Sequence, residues 1–367
     1  MEPLELAIIL LSAFGVAMLA TPWVGRLALA VGAVDRPNER KVSRRDDMPL
    51  LGGLAVAAAF LVALVAVQML TGTRLDPVKL RGLLLGGAVI LALGVVDDRF
   101  GVGARIKLTG QITAAVLAIA HGFEVFQFSN PLTNEVVELP GWLVWVATGF
   151  WIVAVTNAVN LLDGLDGLAC GVSAIIAATL SVIAWQAGHP FAVCVGMALV
   201  GGLLGFLPHN FSPARIFLGD TGSLFVGFVL SLLALECYRR VSLITLMVPL
   251  LTLAVPLLDT TLSIVRRVRL RTPIFSADRL HMHHRLLASE GSARAAVLQF
   301  YFLTAAFCLI AVSFTRLEGP WAAAFFVAVV ALTIRLLWNL GVLSQHPEEV
   351  SDGGDPDLGA NAEKGES

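Results

Sequence analysis

Hydrophobic residues in this chain come in long blocks rather than in narrow amphipathic stripes. Eleven apolar runs recur, at about 4–23, 51–70, 80–96, 108–122, 141–159, 168–186, 190–207, 221–237, 241–265, 296–314 and 320–340. Runs of roughly 17–25 apolar residues are what a helix needs to cross a bilayer core of ~30 Å. The pattern therefore predicts an all-α polytopic membrane protein with about eleven transmembrane helices, organised as a single integral-membrane domain over 1–340. No Lys or Arg precedes the first run, Arg26 being the first, so that run reads as a span and not as a cleavable signal peptide. No internal repeat is evident.

One connection breaks the block pattern. Phe123, Val125, Phe126 and Phe128, then Val136, Val137 and Leu139, flank the turn-forming stretch Ser129-Asn-Pro-Leu-Thr-Asn134. Two short aromatic and β-branched runs around such a turn predict a small extracytoplasmic β-hairpin. The longer connections at 24–50, 97–107, 160–167, 208–220 and 266–295 carry nearly all the unusual polar residues.

Charge then orients the chain. With connections assigned alternately to two sides, seventeen Lys and Arg fall on one side and six on the other. Basic residues favour the cytoplasm, so the richer side is expected there, with the N-terminus outside and the C-terminus inside. Trp142, Trp185 and Trp321 fall near outer helix ends and Trp23 and Trp338 near inner ones, as interfacial tryptophans should. The address expected is the bacterial inner membrane, with the lipid bilayer itself a partner.

Composition agrees. The 367 residues are 57% hydrophobic and 14% charged, which excludes an ordinary soluble domain, and no nucleic-acid partner is expected. Cys170, Cys194, Cys237 and Cys308 lie in or beside apolar runs without paired spacing and read as small buried side chains. Residues 341–367 hold seven acids and one Lys and read as a disordered acidic cytoplasmic tail.

The chemistry sits in the connections of the richer side. Asn157-Ala-Val-Asn160-Leu-Leu-Asp163-Gly-Leu-Asp166-Gly167 places two carboxylates and two carboxamides at a membrane edge. Such hard oxygen donors suit Mg²⁺ and, through it, phosphate. Asp97 and Asp98 close the third run, and Arg105 and Lys107 follow with groups that bind phosphate. Arg215 precedes Gly219-Asp220-Thr-Gly-Ser223, which opens a helix whose free N–H groups attract anions. His281, His283 and His284 cluster between Arg279 and Arg285. They could bind zinc, but oxygen donors dominate elsewhere, and an anionic phosphate or nucleotide suits them better. Asp259 lies seven residues before Arg266, about 10 Å inside its helix end, which makes it a functional candidate. All these clusters fall on one face by the alternating count. A transporter would instead place polar groups near the bilayer midplane.

In that order, Asp97-Asp98, Asn160-Leu-Leu-Asp163-Gly-Leu-Asp166-Gly, Pro213-Ala-Arg215-Ile-Phe-Leu-Gly-Asp220-Thr-Gly-Ser and His281-Met-His283-His284-Arg285-Leu resemble the polyprenyl-phosphate N-acetylhexosamine-1-phosphate transferases (glycosyltransferase family 4) over about 30–290. Ser276-Ala-Asp-Arg-Leu-His-Met-His-His-Arg-Leu is similar to the WecA/TagO-like branch, which takes UDP-GlcNAc, more than to the branch that takes UDP-MurNAc-pentapeptide. The early segment Val34–Val42 also fits, but the chain departs from the family pattern at Ser43 and Leu50.

The resemblance implies transfer of N-acetylglucosamine 1-phosphate from UDP-GlcNAc to undecaprenyl phosphate, with release of UMP. It implies Mg²⁺, with Mn²⁺ as a substitute, and a product that initiates an envelope polysaccharide such as O-antigen. The alternative is the same chemistry on another UDP-N-acetylhexosamine or on UDP-MurNAc-pentapeptide. Asp220 is then the metal ligand, and Asp97, Asp98, Asp163 and Asp166 form the catalytic set. Arg105 and Lys107 steer the lipid phosphate. Asn157, Asn160, Arg215 and Asp259, with His281, His283, His284 and Arg285 on the sugar-phosphate side, bind substrate. Asp98→Asn and Asp220→Asn are each expected to abolish turnover in a folded protein. Direct attack and a covalent Asp intermediate both remain open, as does the assembly state, a homodimer included.

Overall fold

The protein's computed structural model describes residues 1–35, 47–124, 127–129, 136–138, 140–237, 241–269 and 292–314, and four isolated helical positions beyond them. Met1–Leu317 form one compact unit and Glu318–Ser367 a second. The first unit is built of α1 (Pro3–Val31), α2 (Gly52–Thr71), α3 (Pro77–Phe100), α4 (Ala104–Ala120), α5 (Gly141–Leu162), α6 (Leu168–Gln186), α7 (Pro190–Asn210), α8 (Gly219–Cys237), α9 (Leu243–Thr252), α10 (Ala254–Arg269) and α11 (Ala293–Phe314). Eight of these are long and apolar enough to cross a membrane, and α4, at 17 residues, is two residues shorter than the shortest of them.

Nine of the apolar runs map one to one onto helices. The run over 241–265 differs, because it is two helices, α9 and α10, meeting at Leu253. Pro256 lies in the first turn of α10 and has no N–H to offer the Thr252 carbonyl, so a boundary falls just before it. The helix α1 runs eight residues past the apolar block 4–23, through Arg26, because helix propensity does not stop where hydropathy does. It ends at Gly32, which adopts a left-handed φ of 69°. The run 320–340 and the acidic tail lie outside the described residues, apart from the four isolated positions.

The expected hairpin is present and larger than anticipated. Strands β3 (Gln127–Ser129) and β4 (Val136–Glu138) pair antiparallel, and β5 (Val241–Ser242), which follows α8, adds to β3 in parallel. A second two-stranded piece, β1 (Val34–Asp35) with β2 (Met48–Pro49), closes the connection between α1 and α2.

The helix α8 is the centre of this unit. It is buried from Thr221 to Cys237, whereas α1 presents most of its length outward, as a lipid-facing helix should. Helices α3 and α8 run antiparallel. Lys79 meets Glu236 at one end, a Cβ on Gly86 would sit 2.4 Å from the Phe228 ring at the middle, and Asp98 meets Asp220 and Thr221 at the other. At Gly94 the two backbones touch: a Cβ there would lie 2.4 Å from Thr221 Cα, so only glycine lets α8 so close.

Candidate active site

The site lies where α3 ends, α4 begins, α5 ends and α8 begins. Helix α3 starts cleanly, with Pro77 in the first turn and Asp76 accepting from the Val78 and Lys79 amides at 2.9 and 3.2 Å. It stops at Gly101, whose φ of 67° breaks the helix. That stop leaves Asp97 and Asp98 in the last turn. Asp97 is buried, and its Oδ1 accepts from the Val102 amide at 2.7 Å, stitching the turn that leads into α4. The stitch fixes where α4 begins, and Lys107 follows one turn later.

Lys107 is the hub. Its ammonium contacts Asp97 Oδ2, which is itself buried, and donates to Asp220 Oδ2 at 2.5 Å. The other Asp220 oxygen accepts from Asn160 Nδ2 at 2.6 Å. The same amide of Asn160 donates to Ser223 Oγ at 2.8 Å, and that hydroxyl donates to the Gly219 carbonyl at 2.9 Å. Asp220 is thus gripped from both sides, by α4 and by α5. Asp98 turns the other way and accepts from the Asp220 amide at 2.8 Å, the Thr221 amide at 2.9 Å and the Thr221 hydroxyl at 2.6 Å.

Asp163 lies just past the end of α5 and is half-buried. Loss of hydration, reinforced by the carboxylates of Asp220, Asp98 and Asp166, raises its pKa well above the usual carboxylate range. Among the described residues, the acids Asp97, Asp98, Asp163 and Asp220 are neighbours, and the Lys107 ammonium contacts two of them, Asp97 and Asp220. Such an excess of negative charge favours a further cation and repels a bare phosphate.

Other sequence-selected residues turn out to hold the frame. Asp166 Oδ2 accepts from the Ala214 amide at 2.9 Å, tying the 163–167 loop to the connection before α8. Asn157 and Gln111 exchange hydrogen bonds at 2.6 and 3.2 Å, and Asn157 also donates to the Val153 carbonyl. Gln111 lies one turn after Lys107, and Asn157 one turn before Asn160, so this pair sets α4 against α5 where both grip Asp220. Arg105 and Arg215 are exposed beside the site. Asp259 is buried in α10, which packs on α5. His281, His283, His284 and Arg285 lie outside the described residues.

Several contributors escaped the sequence reading. Asn210 is buried at the end of α7; it accepts from the Gly167 amide at 3.1 Å and donates to the Ile216 carbonyl at 3.0 Å. Its signal was a lone carboxamide at an apolar helix end, where an unpartnered amide is costly. The segment with the unusual Leu50 acts through its backbone. The Phe217 amide donates to the Pro49 carbonyl at 2.9 Å, and the Gly52 and Gly53 amides donate to Phe217 and Leu218 at 3.1 and 2.9 Å. The connection into α8 is clamped along its length as a result. Tyr301 of α11 adds a 2.6 Å bond to the Gly167 carbonyl.

Among the described residues, no group of three or more His, Cys, Asp or Glu forms a complete metal cage. The donor chemistry still suits Mg²⁺, which is usually held by one or two carboxylates and completed by water and substrate phosphate. Asp97 Oδ2 and Asp220 Oδ2 already converge on a single cation, the Lys107 ammonium.

Residues 80–238, which carry all of this cluster, match the family model for glycosyl transferase family 4. Across 87% of both chains, the protein is 36% identical to the probable undecaprenyl-phosphate N-acetylglucosaminyl 1-phosphate transferase of Bacillus subtilis (strain 168). It is 35% identical to the decaprenyl-phosphate N-acetylglucosaminephosphotransferase of Mycolicibacterium smegmatis, over 91% of this chain and 88% of the relative. A phospho-N-acetylmuramoyl-pentapeptide-transferase of Moorella thermoacetica is 36% identical over 64% of this chain and 74% of its own.

Proposed function

The chain belongs to glycosyl transferase family 4, as a polyprenyl-phosphate N-acetylhexosamine-1-phosphate transferase, and from that membership we propose that its donor is UDP-GlcNAc and its acceptor undecaprenyl phosphate. The breadth of the match to N-acetylglucosamine transferases, against the shorter match to the pentapeptide transferase, supports this donor. In this reading the site faces the cytoplasm, where nucleotide sugars are made. The N-terminus lies outside, and the product primes an envelope polysaccharide.

The observation that carries the reading is the Lys107 ammonium clasped between Asp97 and Asp220, with Asn160 on the far oxygen of Asp220. The reaction joins two anions. An oxygen of the lipid phosphate attacks the β-phosphorus of UDP-GlcNAc, a new P–O bond forms, and the bond to the bridging oxygen breaks. UMP leaves with that electron pair. Charge neutralisation and positioning are then the main work of the protein. Bound Mg²⁺ would neutralise the pyrophosphate oxygens, and Asp220, with Asp97 beside it, would hold it. Lys107 exchanges its carboxylate partners for phosphate oxygens when substrate enters. Arg105, exposed at the start of α4, draws the lipid phosphate towards that place. Asp97 assists the attacking phosphate, whose second pKa near ~6 leaves little proton to remove at neutral pH. Asn160 keeps Asp220 aimed.

UMP release by detergent-purified protein tests the reading, with undecaprenyl phosphate, Mg²⁺ and either UDP-GlcNAc or UDP-MurNAc-pentapeptide. Release from UDP-GlcNAc that needs both lipid and metal is expected. Release from the pentapeptide donor alone would overturn the donor assignment.

A further inference from the structure

We propose that Asp98 is a positioning residue: it acts on the reaction through the first turn of α8, and so through the aim of Asp220, without touching substrate. The proposal rests on the transferase reading above.

Both oxygens of the Asp98 carboxylate are committed to α8. Oδ1 accepts from the Asp220 amide at 2.8 Å, and Oδ2 from the Thr221 amide and hydroxyl at 2.9 and 2.6 Å. The first amides of a helix have no partner inside it, and an anion placed there also complements the helix dipole. Most helices meet this need with a Ser, Thr, Asp or Asn of their own just before the first turn. Here that is barred. Leu218 precedes the helix and has no side-chain acceptor, and Gly219 opens it with a φ of 70°. A Cβ on Gly219 would lie 2.0 Å from the Leu50 carbonyl oxygen and 2.6 Å from Asp98 Oδ2. The cap has to come from another helix, and α3 supplies it. Gly94, one turn earlier on α3, admits the Thr221 backbone that Asp98 caps.

The consequence falls on one residue. Asp98 holds the backbone amide of Asp220, while Lys107 and Asn160 hold its carboxylate. Adjacent acids on α3 therefore divide the work. Asp97 faces the Lys107 ammonium and Asp98 faces α8. An Asn at position 98 would present one amide group towards donors, so one of the contacts would turn from attraction to conflict.

The test is a double-mutant cycle on the full chain in detergent, with Mn²⁺ affinity and UMP release measured for wild type, Asp98→Asn, Thr221→Val and the double variant. Thr221 shares the cap through its hydroxyl. If Asp98 works through the cap, Asp98→Asn should weaken Mn²⁺ binding and turnover together by about ten- to hundredfold, the scale of charge-assisted hydrogen bonds. Thr221→Val should weaken both in the same direction by less, Thr221→Ser should restore them, and the double variant should be no worse than Asp98→Asn. Wild-type Mn²⁺ affinity in Thr221→Val would overturn the proposal, even if Asp98→Asn fails to fold. So would lost turnover with unchanged Mn²⁺ affinity in Asp98→Asn. A wild-type protein that releases no UMP would count against the transferase reading, while the Mn²⁺ affinities would still decide the role of Asp98.

Discussion

The two ends of the α3–α8 helix pair carry buried charge in opposite ways. At one end Lys79 donates to both oxygens of Glu236 at 2.5 and 2.7 Å, and both side chains are less than a tenth exposed. At the other end, about 27 Å along α3 at roughly 1.5 Å per residue, Asp97 and Asp220 close on Lys107, Asp98 caps the start of α8 beside them, and Asp163 feels the charges of Asp98 and Asp220. At the first end the cation and the anion are matched to each other in a direct, doubly hydrogen-bonded pair. Among the described residues, the second holds more acids than the ammonium that contacts them and keeps them half open. Buried charge that is balanced fastens helices; buried charge left unbalanced on a fixed frame awaits a ligand of the opposite sign.

Substitutions at the two ends should therefore fail differently. The largest effect is expected at Asp220. Asp220→Asn should lower UMP release by about a thousandfold or more, with the melting temperature in detergent little changed, since one of several mutually repelling acids is lost. Next comes Glu236→Gln, which leaves Lys79 buried without its counter-charge. About 3–5 kcal/mol of stability should go, read by unfolding in detergent, while UMP release per folded molecule stays at the wild-type level. Replacing both partners, Lys79→Met with Glu236→Met, should recover most of that loss, because the cost lies in the orphaned charge more than in the absent bond.

Lys107→Met sharpens the contrast from the other side. It should slow UMP release and yet raise Mn²⁺ affinity in the absence of nucleotide by about tenfold, equivalent to about 1.4 kcal/mol, since the ammonium no longer competes for Asp97 and Asp220. The smallest effect is expected for Gln111→Ala. An interhelical hydrogen bond inside a membrane contributes about 0.6 kcal/mol on average, so a shift of a few degrees in melting temperature with a modest loss of turnover is the outcome to check.

Much of this contrast was legible in the sequence at one end only. Hydropathy located the helices because a bilayer imposes length and apolarity on every span. The hairpin was legible in its β-branched runs, but β5 was not, because two residues at the start of an apolar block carry no strand signal of their own. Asp97, Asp98, Asn160, Asp163 and Asp220 stood out because acids and carboxamides are conspicuous at membrane edges, and Lys107 because a cation follows the acids on the same side. Their partners were not. Nothing along the chain says that Asp98 caps a helix more than a hundred residues later, or that Asn157 is taken up by Gln111. Periodicity reports on one helix at a time, and these contacts belong to pairs. Lys79 and Glu236 were invisible for the same reason: each alone looks like an ordinary charge at a helix end.

The direct test of the central claim is Mn²⁺ binding, followed by electron paramagnetic resonance in the presence of UDP-GlcNAc, in wild type, Asp220→Asn and the Lys79→Met, Glu236→Met pair. Binding that is lost in Asp220→Asn and intact in the double variant is the expected result. Wild-type binding in Asp220→Asn would contradict the assignment of the unbalanced end as the cation and pyrophosphate site.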